Sequence, residues 1–119
     1  MIDERTLQIF RLQADICKTL ADANRLLILH EIRAGEMSVG QLATNLNLTQ
    51  SNVSRHLAIL RQRGIVSTRR EGTTIYYSLA NPAIGRACDM VREVLETRLL
   101  KEQALAGSIG SLKRASEAR

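Results

Sequence analysis

One stretch constrains this chain more than any other: SVGQLATNLNLTQSNVSRHLAIL, residues 38–60. Ser38 followed by Gln41 has the spacing of a capping box, in which two side chains satisfy two otherwise unpaired backbone donors at a helix start. Val39, Leu42 and Ala43 give that helix an apolar stripe. Asn45, Leu46 and Asn47 interrupt it, and Thr49 is placed to cap a second helix. Val53, Leu57 and Leu60 recur at i, i+4 and i+7 and form the buried face of this second helix. Its other face carries Gln50, Ser51, Asn52, Ser54, Arg55 and Arg61. Such side chains bond base edges and phosphates, and short ones at a helix start let the backbone come close to DNA. We therefore expect a helix-turn-helix whose second helix reads duplex DNA, with Thr49 and His56 counted among its binding residues. The plainer alternative is an ordinary solvated helix face.

Composition sets the bounds. The chain has 119 residues, enough for one domain with one modest core. Apolar residues make up 45 % and aromatics only 3 %, so the core is aliphatic and base-stacking platforms for single strands are not expected. A net charge of +5 favours a polyanionic partner. No apolar run approaches the ~20 residues of a membrane span, and the start, MIDERTLQIF, lacks the apolar core of a signal peptide. The expected location is the cytoplasm, where the two cysteines are reduced at rest.

The remaining segments organise around the helix-turn-helix. Residues 4–20 fit an amphipathic helix with Ile9, Leu12, Ile16 and Leu20 on one side and Cys17 at its border. Asp22 caps a second helix over 23–33, with Leu26, Leu27, Leu29 and Ile32 apolar and His30 read as a surface or core-edge residue rather than a ligand. After Gly64 the period changes. Ile65-Val66-Ser67 leads to Thr68-Arg69-Arg70, Glu71-Gly72 signals a turn, and residues 73–79 are β-branched and aromatic. This is a β-hairpin, and a hairpin directly after a reading helix is a wing. Arg69, Arg70 and Thr73 near its tip are placed to touch phosphates or the minor groove; a merely solvated tip is the alternative. Asn81-Pro82 restarts a helix that runs to about Leu105. Ile84, Cys88, Val91, Leu95 and Leu99 make a long apolar stripe on it, more than so small a core can cover, which points to pairing with a second copy. The expected architecture is mainly α with a small β-hairpin, a winged helix-turn-helix in the order α-α-α-α-β-β-α. Residues 1–105 form the dimeric DNA-binding domain, and 106–119 a flexible basic tail.

LADANRLLILHEI and then SVGQLATNLNLTQSNVSRHLAILRQRGIVSTRREGTTIYYSLANP resemble the ArsR/SmtB family of bacterial winged-helix repressors. The resemblance covers about residues 16–82 and extends to the flanking helices by position. It implies a homodimer built on the first and last helices, repression of a small operon, and release of operator DNA when a metal, metalloid or thiol-reactive signal binds. The family's thiol-rich site falls on Met37, Ser38, Val39 and Gly40 in this chain, which supply no cysteine. Its site on the last helix falls on Asn81, Ala83, Val94 and Thr97, which do not form a zinc ligand set. In the sulfur-responsive branch a cysteine stands about where His30 stands here.

Cys17 and Cys88 therefore become the sensing candidates, since both lie on the helices expected to pair. They read as small buried hydrophobes, as a dithiol that closes a disulfide or polysulfide bridge, or as soft ligands for a thiophilic metalloid such as trivalent arsenic. Lys18, Arg86 and Arg92 nearby favour thiolate character; a third ligand would have to be His30, water or the other chain, with Asp89 and Glu93 as weaker helpers to Cys88. No cofactor is required. Two other classes remain. A winged-helix module that binds only protein should lack the basic Arg55, Arg61, Arg63, Arg69 and Arg70. An enzyme with a cysteine nucleophile needs a base and an orienting group, and His30 and His56 form no recognisable triad.

Overall fold

A computed structural model describes the backbone of residues 1–117 and the side chains of residues 1–107. Its elements are α1 (Glu4–Leu20), α2 (Ala23–Ile32), β1 (Met37–Ser38), α3 (Val39–Leu46), α4 (Gln50–Gln62), β2 (Val66–Glu71), β3 (Thr74–Leu79) and α5 (Pro82–Glu117). The strands form one antiparallel sheet in the order β1-β3-β2. The helix-turn-helix and its wing are present, and the architecture is a winged helix-turn-helix. β1 is an addition to the expected order. It is two residues long, so no alternation marks it in sequence, and it exists because Met37 and Ser38 pair with Tyr77 and Tyr76.

Local chemistry starts and stops these elements. Asp3 accepts from the Thr6 amide, Asp22 from Arg25, Thr49 from Asn52, and Asn81 from Ala83. The capping box is complete: Ser38 Oγ accepts the Gln41 amide at 3.2 Å and Gln41 Oε1 accepts the Ser38 amide at 2.9 Å. α3 closes on Asn47 in the left-handed conformation, φ 54°, a conformation that asparagine tolerates better than most residues. The β2–β3 register pairs Glu71 with Thr74, which leaves Gly72-Thr73 as a two-residue loop. Gly72 has φ 61° and Thr73 does not have a positive φ, the pattern of a type II′ turn that matches strand twist.

The chain divides into two compact units, residues 1–85 and residues from Arg86 onward. In the first, the core consists of Ile28, Leu29 and Ile32 of α2, Leu42 and Ala43 of α3, Val53, Leu57 and Leu60 of α4, and Ile65 and Val66 at the entry to the wing. Leu20, Met37, Val39, Leu46, Leu48, Tyr77, Leu79 and Ile84 pack around it half-buried. Two expectations change. On α2 the inward face is Ile28, Leu29 and Ile32, while Leu26 and Leu27 are exposed. On α1 the stripe Ile9, Leu12 and Ile16 is exposed and only Leu20 reaches the core.

The second unit is the long part of α5, which continues to Glu117 rather than closing near Leu105. Gly107 and Gly110 each weaken a helix by only about 1 kcal/mol relative to alanine. The alanines, leucines, lysine and arginine around them are strong helix formers. Residues 118 and 119 of the expected tail lie outside the described residues. Met90, Val91, Val94, Leu95, Leu99, Leu100 and Leu105 are all exposed along α5.

Candidate nucleic-acid interface

The interface candidate is built on α4, because the core fixes which way that helix faces. Val53, Leu57 and Leu60 are fully buried. Burying one leucine side chain of this kind is worth about 1.5–3 kcal/mol, so rotating the helix to hide its polar face would forfeit several such terms. The outward face then presents Gln50, Ser51, Ser54, Arg55 and Arg61, all exposed, with Thr49 exposed at the cap. Asn52 is half-buried, and its Oδ1 is enclosed without a hydrogen-bond partner. The start of α4 is thus made of short polar side chains, with a basic residue one turn further along.

His56 is the correction on this helix. The sequence places it among the DNA-binding residues, whereas in the structure it is only 6 % exposed and lies on the inward face. The spacing signals this, since 53, 56, 57 and 60 form one i, i+3, i+4, i+7 stripe. Nη1 of Arg25 donates to His56 Nδ1 at 3.3 Å, and Nε of Arg25 donates to the Thr19 carbonyl at 2.6 Å. Arginine can only donate, so Nδ1 is the acceptor of a neutral imidazole. Burial pushes the His56 pKa below its ordinary value. Asp22 pulls it upward, while Arg25 and Arg55 push it further down. Arg25 therefore joins the end of α1 to the inner side of α4, a link absent from any local sequence pattern.

The wing divides its two arginines. Successive residues of a strand point to opposite faces, so Arg69 and Arg70 diverge. Arg70 is exposed near the tip and donates to the Gly72 carbonyl at 3.3 Å; Thr73 is exposed in the loop beside it. Arg69 is held by carboxylates. Its Nε lies 3.1 Å from both oxygens of Glu36, its Nη1 donates to Glu71 at 3.1 Å, and its guanidinium stacks 4.9 Å from the Tyr76 ring centroid. The hydrogen bonds from Arg69 hold the Glu36 carboxyl below its ordinary pKa.

The structure places the sensing candidates in separate units. Cys17 is exposed on α1 and Cys88 is half-buried on α5. Among the described residues no cluster of three His, Cys, Asp or Glu side chains has a geometry that could hold a metal ion. Met37, Ser38, Val39 and Gly40 are occupied in β1 and the first turn of α3. His30 is exposed on α2. No helix among the described residues is long and apolar enough to cross a membrane.

Comparison with known proteins extends this geometry. Residues 22–68 match the bacterial regulatory protein arsR family. An uncharacterised HTH-type transcriptional regulator of Mycobacterium tuberculosis, Rv0081, is 36 % identical over 96 residues, 80 % of this chain and 83 % of that protein. The transcriptional activator HlyU of Vibrio cholerae is 37 % identical over 79 residues, 66 % of this chain and 73 % of that protein. Among solved structures, the homodimeric winged helix-turn-helix DNA-binding domain Mb0332 of Mycobacterium bovis superposes with a TM-score of 0.75 at 32 % identity. That superposition covers 82 % of this chain and 91 % of the domain.

Proposed function

The chain belongs to the arsR family of bacterial regulatory proteins and is a transcriptional regulator of that family, and from that premise we propose that it is a cytoplasmic homodimeric repressor that binds an operator in duplex DNA. The single observation that carries the reading is the fixed outward face of α4: a capped start, short polar side chains, then Arg55 and Arg61, all held outward by a buried apolar stripe. Thr49, Gln50, Ser51, Ser54 and Arg55 enter the major groove, and Arg61, Arg70 and Thr73 meet the backbone. A protein-only module has no use for this basic surface. Repression is the sense favoured, because occupying a promoter excludes polymerase by bulk alone, whereas activation needs an added contact. The test is a gel shift with the DNA upstream of the protein's own coding sequence against random duplex at physiological salt. A clear preference supports the reading; equal affinity sinks it.

Pairing is supported by exposed apolar surface. α1 leaves Ile9, Phe10, Leu12 and Ile16 uncovered, and α5 leaves Val91, Leu95 and Leu99 uncovered. Large exposed apolar patches mark interaction sites, and the similar M. bovis domain is homodimeric. Two-fold symmetry would set the two α4 helices about 34–36 Å apart, one turn of DNA, and the operator would be an imperfect palindrome.

The signal is proposed to enter through Cys17 and Cys88. What supports this is the chain's lack of cysteine at positions 37–40 and of a zinc set at Asn81, Ala83, Val94 and Thr97. Both thiols also stand on the helices proposed to pair, where a change in angle moves both reading helices against a fixed groove spacing. An oxidant, reactive sulfur or a thiophilic metalloid is the class of inducer, and the reduced protein is the DNA-binding form. A complete switch needs about 5.5 kcal/mol of differential affinity. Cys17→Ser and Cys88→Ser should each keep DNA binding and lose the response in a gel shift paired with intact mass measurement. Full induction in both variants, by arsenite, a disulfide oxidant and a polysulfide, would place the inducer site elsewhere.

A further inference from the structure

One face of the wing holds a cation whose hydrogen bonds are already taken up by carboxylates. β1 and β2 lie on either side of β3, and Tyr76 sits opposite both Ser38 of β1 and Arg69 of β2. Alternation puts Arg69, Glu71 and Tyr76 on one face and Arg70 with Ile75 on the other. From β2 the Arg69 side chain crosses β3 over the Tyr76 ring and reaches Glu36, next to β1, with Glu71 at its near side. Nε, Nη1 and Nη2 each have a carboxylate partner. One cation between two carboxylates leaves a local charge of −1, which repels phosphate rather than attracting it.

The clamp adds a side-chain link to the short backbone pairing between β1 and β3. β1 has only two residues, and its Ser38 is the cap of α3. Whatever fixes β1 against the wing fixes the start of the helix-turn-helix against it. We infer that Arg69 is a positioning residue, not a phosphate contact: with Glu36 and Glu71 it straps the wing to the entry of α3, and Arg70 is the arginine of the wing that faces DNA. The inference rests on the duplex-binding reading for its consequence, and on the free protein for its structure.

The experiment has two arms, using Glu36→Gln, Arg69→Gln and Arg70→Gln in the full chain. In the free protein, amide hydrogen exchange in β1 and β3 should quicken in Glu36→Gln and Arg69→Gln and stay unchanged in Arg70→Gln. Glu36 should titrate below the ordinary carboxylate range in wild type and return to it in Arg69→Gln. In the second arm, the salt dependence of binding is measured for a duplex that the protein enriches from a random pool and for a mixed-sequence duplex. Arg70→Gln should flatten the slope of log affinity against log salt by about 0.9, the loss of one phosphate contact. Arg69→Gln should leave the slope unchanged and lower the preference for the enriched duplex. Glu36→Gln should steepen the slope by up to about 0.9 as the released guanidinium finds a phosphate. A slope flattened equally by Arg69→Gln and Arg70→Gln overturns the inference. So does unchanged exchange in both clamp variants. If wild type prefers no duplex, the DNA-binding reading fails alone; a Glu36 titration in the ordinary range then overturns the clamp, and a lowered one upholds it.

Discussion

α4 and α5 both carry an apolar stripe at helical spacing, and only one of them has it covered. Val53, Leu57 and Leu60 of α4 are 0 % exposed, whereas Val91 of α5 is 72 % exposed and Leu95 51 %. The polar side of α4 is consequently pinned outward, where it can meet DNA, while the apolar side of α5 has no partner within its own unit. The same sequence signal therefore means two things. A stripe flanked by a turn and further helices closes a core; a stripe on a helix that outruns the core calls for another chain.

The sharpest way to break the comparison is to charge the uncovered stripe. Leu95→Asp would bury a carboxylate in the proposed pairing surface, at a cost of several kcal/mol. The expected outcome is loss of the dimer in sedimentation velocity at micromolar concentration. A wild-type protein that already sediments as a monomer there removes the basis for the pairing claim.

The covered stripe should respond differently. Leu57→Ala leaves a cavity in a closed core and is expected to cost about 2–5 kcal/mol in chemical denaturation. That loss should be of the same size at every protein concentration, since Leu57 packs only within its own chain's core. If its size instead changes with concentration, the helix-turn-helix core is not self-sufficient, and the contrast between α4 and α5 dissolves.

The outward side of α4 should respond in binding rather than in stability. Arg55→Ala removes an exposed side chain on the outward face of α4. Stability should stay within about 0.5 kcal/mol, while discrimination between operator and random duplex falls by about 1–3 kcal/mol. A binding titration beside a denaturation curve separates the two. A loss of stability without loss of discrimination would assign Arg55 to the scaffold.

How much of this was legible in sequence follows the distance over which each feature is decided. The caps at Asp22, Ser38, Thr49 and Asn81 are set by residues two or three positions away, and all form as read. The wing was legible because a two-residue glycine turn joins its strands. The features that were missed depend on residues remote in the chain. Glu36 and Arg69 are 33 residues apart and Arg25 and His56 are 31 apart. No local pattern shows that an arginine beside another arginine is already neutralised, or that Arg25 reaches the inward histidine; only the inward position of His56 is written in the stripe it shares with Val53, Leu57 and Leu60. The α2 face was misjudged for the same reason: in LLIL four apolar residues run together, and the core, not the periodicity, selects Ile28 and Leu29 over Leu26 and Leu27.

The smallest expected effect tests that inward histidine. His56 has its pKa lowered from an ordinary value of 6.5, chiefly by burial, with the Asp22 carboxylate opposing the shift. As pH falls through 6.5 the unfolded chain takes up this proton before the folded chain does. Stability rises with pH wherever the unfolded state binds more protons, so the contribution of a neutral His56 is complete above 6.5 and declines below it. Once the folded ring also protonates, the loss reaches its limit. The slope cannot exceed that of one proton, about 1.4 kcal/mol per pH unit, and Asp22 reduces the total. Protonation also turns Nδ1 from acceptor to donor, which sets it against the Arg25 guanidinium and weakens the link from the end of α1 to α4. The window is distinct from that of the lowered carboxylates Asp22 and Glu36, whose ordinary values are 3.8 and 4.5. Denaturation midpoints measured on both sides of 6.5 should fall on acidification in wild type and stay level in His56→Gln, which keeps an acceptor for Arg25 and cannot titrate. If the variant keeps the wild-type slope, the proton is taken up elsewhere, and the inner face of α4 is as indifferent to pH as its aliphatic neighbours.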